Sequence, residues 1–190
     1  MTVNTSGLFG KNIFRASYQE LFKLRKLVFV SMLLAIVVVL KTIGLNNDYV
    51  KMGLNAIPAN LAYYILGPIG GAIFGALSDI LGVVVLGQSL NPLLTVTGAL
   101  AGFIAGLILY GHPIQLWRII LAVVLKALIC SIFLNTLIIS AMYGVDFRAL
   151  IVSRLLKNAI EVPLTIVVYY IIVKGLEKAG LFRQLQKREE

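Results

Sequence analysis

The stretch GPIGGAIFGALSDILG, residues 67–82, decides how the rest of the chain is read. It is apolar almost throughout, yet Gly71, Gly75, Ser78 and Gly82 recur at i, i+4, i+7 and i+11, one narrow stripe along a helix. Lipid tails are as apolar as leucine, so helices in a bilayer associate through close backbone approach, and a stripe of small residues is what such an approach requires. Gly98, Ala101, Gly102, Ala105 and Gly106 repeat the pattern in the following apolar run. Both stripes imply helix packing within a tight membrane bundle.

Composition supports that class. Of 190 residues, 59% are hydrophobic and 13% charged, and the mean hydropathy is +0.95, too little polar surface for a soluble domain. Apolar runs fall near 27–45, 54–67, 68–87, 92–110, 117–143 and 149–174, against the roughly 20 residues a helix needs to cross a bilayer core. The second run is short, and Gly67-Pro68 divides it from the third, where proline stops one helix and starts the next. The expectation is an all-α integral membrane protein, six transmembrane helices in a compact bundle with both termini on one side.

The net charge of +9 raises nucleic acid as a partner, but the basic residues sit at the ends and between apolar runs and form no stripe interleaved with aromatics. They read as topology signals instead. Lys11, Arg15, Lys23, Arg25, Lys26, Arg118, Lys174, Lys178, Arg183, Lys187 and Arg188 fall on one side, against Lys41, Lys51 and Arg148 on the other, which makes both termini cytoplasmic. The chain then divides into a cytoplasmic N-terminal segment (1–26), a transmembrane domain (27–174) and a basic cytoplasmic tail (175–190). Residues 11–26 suit either an amphipathic helix lying on anionic headgroups or a partly ordered tail.

No catalytic constellation is present: there is no GxSxG, Walker A or HExxH pattern, and the lone Cys130 and His112 argue against a metal site. Nothing in the chain is built to bind or hydrolyse ATP, so uphill movement would draw on ion coupling or a separate motor.

A second stretch, SRLLKNAIEVPL at 153–164, sets the functional question. Arg154, Lys157, Asn158, Glu161 and Thr165 share one helical face, and ionisable groups at the bilayer centre cost at least about 3 kcal/mol each on the mildest scale. That face must line the bundle interior or a water-filled cavity. In one reading these groups neutralise each other and partners such as Asp79 and Lys126. In the other, Arg154 and Lys157 present donors to an anionic ligand entering from outside, and Asn158 orients it. The second is the expectation for Arg154, Lys157 and Asn158, and structural pairing is the expectation for Asp79, Lys126 and Glu161. Asn55, Asn91, Thr95, Asn135, Thr136 and Tyr143 gather towards the same outer side from several spans, as the placed polar groups of a small-molecule pocket do.

Taken together, residues 20–175 resemble the substrate-binding S components of energy-coupling factor (ECF) vitamin transporters, within them the folate-type group. The marks are Ser31 and Ala35 four apart in the first span, GPIGGAIFGALSDILG, WRIILA at 117–122, LNTL at 134–137 and SRLLKNAIEVPL. The resemblance implies a six-helix S component in a bacterial plasma membrane, with an extracellular vitamin site. It implies as partners a transmembrane coupling subunit (T component) and two cytoplasmic ATPases that carry the ATP and Mg, this chain having no cofactor of its own. Ser31 and Ala35 would meet the coupling subunit; packing inside the bundle is the alternative reading of that pair. Val37 stands where folate-type sequences often carry an arginine, and GQSLNPLLT at 87–95 replaces an aromatic, glycine-containing loop. Folate leads among ligands, with pantothenate, cobalamin and a queuosine precursor as alternatives. An ion-coupled secondary transporter, with Asp79, Lys126 and Glu161 as coupling residues, is the alternative of another class.

Overall fold

The computed structural model describes residues 24–46, 55–111, 115–144 and 146–178. Residues 1–23 of the N-terminal segment and 179–190 of the tail lie outside the described residues, as do Asn47, Asp48, Tyr49, Lys51 and His112. All regular structure among the described residues is helical: α1 (Leu24–Asn46), α2 (Ala56–Val85), α3 (Pro92–Leu109), α4 (Leu116–Lys126), a π-helical stretch (Ala127–Leu134), α5 (Asn135–Tyr143) and α6 (Phe147–Lys178). Among the described residues, four helical stretches are long and apolar enough to cross a membrane: Ala56–Val85, Pro92–Leu109, Leu116–Met142 and Leu150–Lys178.

The outer surface is what a bilayer requires. Met32 (63% exposed), Trp117 (72%), Leu156 (66%) and Ile171 (63%) come from three different helices and face outwards. An apolar surface of that extent on a water-soluble protein would be an aggregation site, and in lipid it is simply solvated.

The second and third apolar runs form α2, and Gly67 breaks it. Gly67 adopts φ 74°, ψ −166°, a conformation essentially restricted to glycine, and Pro68 follows with no N–H to donate. The chain doubles back there. Tyr63 and Phe74 stand eleven residues apart, about 16 Å along a continuous helix, yet their rings meet edge to face at 5.8 Å. The first arm of α2, residues 56–66, is the most enclosed part of the molecule: Ile57, Ala59, Asn60, Leu61, Ala62, Tyr63, Ile65 and Leu66 are all buried. A helix apolar on every side belongs in the middle of a bundle.

The second arm of α2 packs on α3 through glycine against glycine. A Cβ on Gly71 would strike the Gly102 carbonyl, one on Gly75 the Gly98 carbonyl, and one on Gly106 the Gly67 carbonyl. The stripe at 71–82 therefore divides. Gly71 and Gly75 face α3, whereas Gly82 faces α1, where a Cβ would lie 2.8 Å from Cδ of Lys41. Ser78 lies between them, its hydroxyl donating to the Gly75 carbonyl (3.0 Å) and its own carbonyl accepting from Lys41 Nζ (2.7 Å).

α1 contributes Val30, Leu33 and Val37 to the core. α4 contributes Ile119, Ala122 and Val123, and α6 contributes Tyr169 and Val173. At the start of α3, Asn91 caps the helix by accepting from the Leu93 N–H (3.1 Å), and Pro92 fills the first position, where no N–H is needed.

Gly67→Ala and Gly75→Ala will each destabilise the ligand-free protein by about 1–3 kcal/mol, the first through backbone strain and the second through overpacking. Gly175 provides the contrast: it is exposed on its helix, and a Cβ there would meet nothing within 4 Å. Gly175→Ala will be neutral or stabilising by under about 1 kcal/mol, read by thermal unfolding in detergent.

Candidate functional site

A chamber of about 400 Å³ lies inside the bundle. Its walls come from consistent ends of the helices: Val37 and Lys41 late in α1, Asn55, Ala59 and Tyr63 at and within the first arm of α2, and Gly75, Ser78 and Asp79 in the second arm. α3 adds Leu94, Thr97, Gly98 and Ala101 from its start, and α6 adds Asn158, Glu161, Val162 and Thr165. Both the beginning and the later part of α2 reach the chamber because the chain reverses at Gly67. The chamber thus sits towards the end of the bundle away from the start of α1 and the end of α6.

The fourth wall depends on an irregular winding. Val123, Lys126, Ala127, Cys130, Ser131, Asn135 and Ile139 all line the chamber. In an α-helix, residues nine apart are about 900° apart and point to opposite sides, so Lys126 and Asn135 would not share a face. The π-helical stretch Ala127–Leu134 lies between them. Its i→i+5 hydrogen bonds wind the chain more slowly, and single turns of this kind recur at functional sites. Here eight residues are wound this way.

The ionisable side chains on the wall include Lys41, Asp79, Lys126 and Glu161. Lys126 Nζ donates to Asn60 Oδ1 (2.8 Å) and stands 5.8 Å from the centroid of the Tyr63 ring, within cation–π range. Asp79 accepts from the Thr95 hydroxyl (3.1 Å), which ties the second arm of α2 to the first turn of α3. Glu161 pairs with Lys157 one turn earlier on α6 (3.8 Å). The sequence suggests structural pairing among Asp79, Lys126 and Glu161; the partners that the structure gives them are Thr95, Asn60 and Lys157.

Of the residues singled out from the sequence, Asn55, Asn135 and Asn158 line the chamber. Thr95 reaches it through Asp79. Asn91 caps α3 and donates through Nδ2 to Met142 Sδ, joining α3 to α5. Thr136 is fully buried, and neither its hydroxyl nor Asn135 Oδ1 has a hydrogen-bond partner. The side chain of Tyr143 lies outside the described residues. Arg154 and Lys157 are not on the chamber wall: Arg154 Nη1 donates to the Ser131 carbonyl (2.7 Å), and Lys157 is half exposed beside Glu161. Lys41, Tyr63 and Ser131 are wall residues that the sequence pattern did not single out. Lys41 had a signal, four residues after Val37 on the inward face of α1. Ser131 had none, because its position depends on the π winding.

Ser31 and Ala35 are exposed on α1, away from the core stripe. The Ser31 hydroxyl donates to the Leu27 carbonyl (2.8 Å), which satisfies it within its own helix.

Fold and chamber together define a multi-pass membrane protein with a recess of small-molecule size, largely apolar and set with a few polar and charged side chains. Residues 25–173 match the model of the ECF transporter, substrate-specific component, and the chain belongs to that family. It is 23% identical over 167 residues to the folate transporter FolT of Clostridium novyi (strain NT), covering 87% of this chain and 97% of that one. To the folate transporter FolT of Leuconostoc mesenteroides subsp. mesenteroides it is 25% identical over 158 residues, covering 80% and 85%. Among solved structures it is similar to one described as the crystal structure of FolT bound with folic acid. The TM-score is 0.65 at 28% identity, covering 77% of this chain and 90% of that one.

Lys126→Met will leave Asn60 Oδ1 buried without its donor and lower stability by roughly 1–3 kcal/mol in the absence of ligand. Adding Asn60→Leu will recover part of that loss, a non-additivity that a double-mutant cycle in thermal unfolding measures directly.

Proposed function

We propose that this chain is the substrate-capturing subunit of an ECF-type importer in a bacterial plasma membrane and that its ligand is a folate. The observation that carries the reading is the chamber itself: about 400 Å³, with two lysines, two carboxylates and the amides of Asn55, Asn135 and Asn158 in its lining. A folate presents a pterin edge of alternating donors and acceptors, an aromatic linker and a glutamate with its carboxylates. Asp79, Glu161 and the amides suit the pterin edge. Lys41 and Lys126 suit the carboxylates, since charge-assisted bonds of this kind are the stronger ones. Tyr63 supplies a ring for stacking. The names of the relatives and the folic-acid-bound structural neighbour support the same choice.

In this reading the two arms of α2 are separate crossings, the bundle has six, both termini are cytoplasmic, and the chamber opens to the outside. The fold-back at Gly67 and the distribution of Lys and Arg support it. Energy comes from elsewhere: a transmembrane coupling subunit and two ATPases carrying ATP and Mg, with Ser31 and Ala35 on the exposed face of α1 as the contact to the coupling subunit.

Purified protein, stripped of ligand in detergent, will bind folic acid tightly and pantothenate, cobalamin and a queuosine precursor far more weakly, as read by titration calorimetry. Lys41→Met will weaken folic acid by at least about tenfold, or 1.4 kcal/mol. Tight binding of none of these by folded protein would sink the reading. Uptake by this chain alone, abolished by collapsing an ion gradient, would replace it with an ion-coupled carrier using Asp79, Lys126 and Glu161.

A further inference from the structure

The π-helical stretch has a clasp. Ser131, at its middle, is held from α6 at two atoms: its carbonyl accepts from Arg154 Nη1 (2.7 Å), and its hydroxyl accepts from Asn158 Nδ2 (3.2 Å). Asn158 Nδ2 also donates to the Arg154 carbonyl (2.9 Å), so the two α6 residues, one turn apart, act on Ser131 as one unit. The contact is partly buried, and a hydrogen bond from a guanidinium to a backbone carbonyl is worth more in such surroundings than in water.

We infer that Arg154 is a positioning residue: with Asn158 it fixes the slow winding of Ala127–Leu134, and that winding brings Lys126 and Asn135 onto the same chamber wall. Arg154 itself is absent from the wall. A regular α-helix over the same residues would recover the better hydrogen-bond geometry of i→i+4 pairing. It would also turn Asn135 about half a turn away from Lys126. The arginine places a partly buried charge against the neighbouring helix, and what that charge secures is the shape of the site. The polar face of SRLLKNAIEVPL thus serves two purposes. Arg154 and Asn158 hold the neighbouring helix, and Glu161 and Thr165 complete the wall.

The test has a ligand arm, which rests on the folate reading, and a ligand-free arm, which does not. In Arg154→Met, amide hydrogen exchange of the ligand-free protein will accelerate across 127–135 while the α2–α3 seam stays protected. In titrations the same variant will weaken folic acid and pteroic acid, which lacks the glutamate, by the same factor of about ten. Arg154→Lys, which keeps a donor for the Ser131 carbonyl, will stay within roughly threefold of the parent for both ligands and will leave exchange unchanged. A loss confined to folic acid would mean that Arg154 touches the ligand's carboxylate, and the inference would fall. Unchanged exchange at 127–135 in Arg154→Met would overturn it as well. Should the parent protein bind neither ligand, the folate reading fails and the exchange measurement still decides the role of Arg154. If Arg154→Met does not fold, Arg154→Gln, too short to span the same gap, carries the same expectations.

Discussion

Glycine against glycine between the second arm of α2 and α3 is the contact on which the rest of the molecule is arranged. Helices in lipid gain nothing from burying leucine, so the seam that holds is the one where backbones come closest. With Gly71, Gly75 and Gly67 against Gly102, Gly98 and Gly106, the two backbones come into direct contact, and the Tyr63 ring packs beside Gly71 and Gly102. The same lock sets the chamber. Gly75 and Gly98 are wall residues as well as seam residues, and Ser78, Asp79 and Thr97 join them on the wall. The reversal at Gly67 places the buried first arm of α2 beside this seam.

Lys41 shows how the remaining helix is brought in. Its stem crosses Gly82, where only a hydrogen leaves room, and its ammonium reaches the Ser78 carbonyl. One lysine therefore fastens the late part of α1 to the second arm of α2 and stands on the chamber wall. An ammonium has three donors, and one is committed to Ser78. This geometry makes α1 a wall of the chamber while Ser31 and Ala35 stay exposed on the same helix.

The membrane class, the helical architecture and the break at Gly67-Pro68 were legible because they depend on composition and on residues with special backbone chemistry. The polar side of the chamber was legible in part, through amides such as Asn55, Asn135 and Asn158 that have no business in lipid. Three things were not. The stripe at 71–82 reads as one face, but two neighbours divide it, and no periodicity says which neighbour a glycine will meet. Lys41 falls within the apolar run at 27–45 but reads as a topology signal, because a count of cations on each side says nothing of what a lysine touches. The shared facing of Lys126, Ser131 and Asn135 could not be read, since facing inferred from spacing assumes 3.6 residues per turn and the chain departs from that value here.

The charge inventory of the chamber explains why such a site is tolerable inside a membrane before any ligand arrives. Lys41 and Lys126 are matched by Asp79 and Glu161, and each is already hydrogen-bonded or paired: Lys41 to Ser78, Lys126 to Asn60, Asp79 to Thr95 and Glu161 to Lys157. An unmatched charge would cost several kcal/mol, whereas a balanced set with local partners costs far less. A ligand that offered carboxylates alone would leave Asp79 and Glu161 without donors, and one with only neutral polar groups would leave the lysines without an anionic partner. A molecule with a donor-rich edge at one end and carboxylates at the other replaces the local partners on both sides and leaves no charge stranded. Selectivity then depends on where along the wall each sign stands. That is fixed by the glycine seam for Asp79, by the Gly82 notch for Lys41 and by the winding of Ala127–Leu134 for Lys126 relative to Asn135.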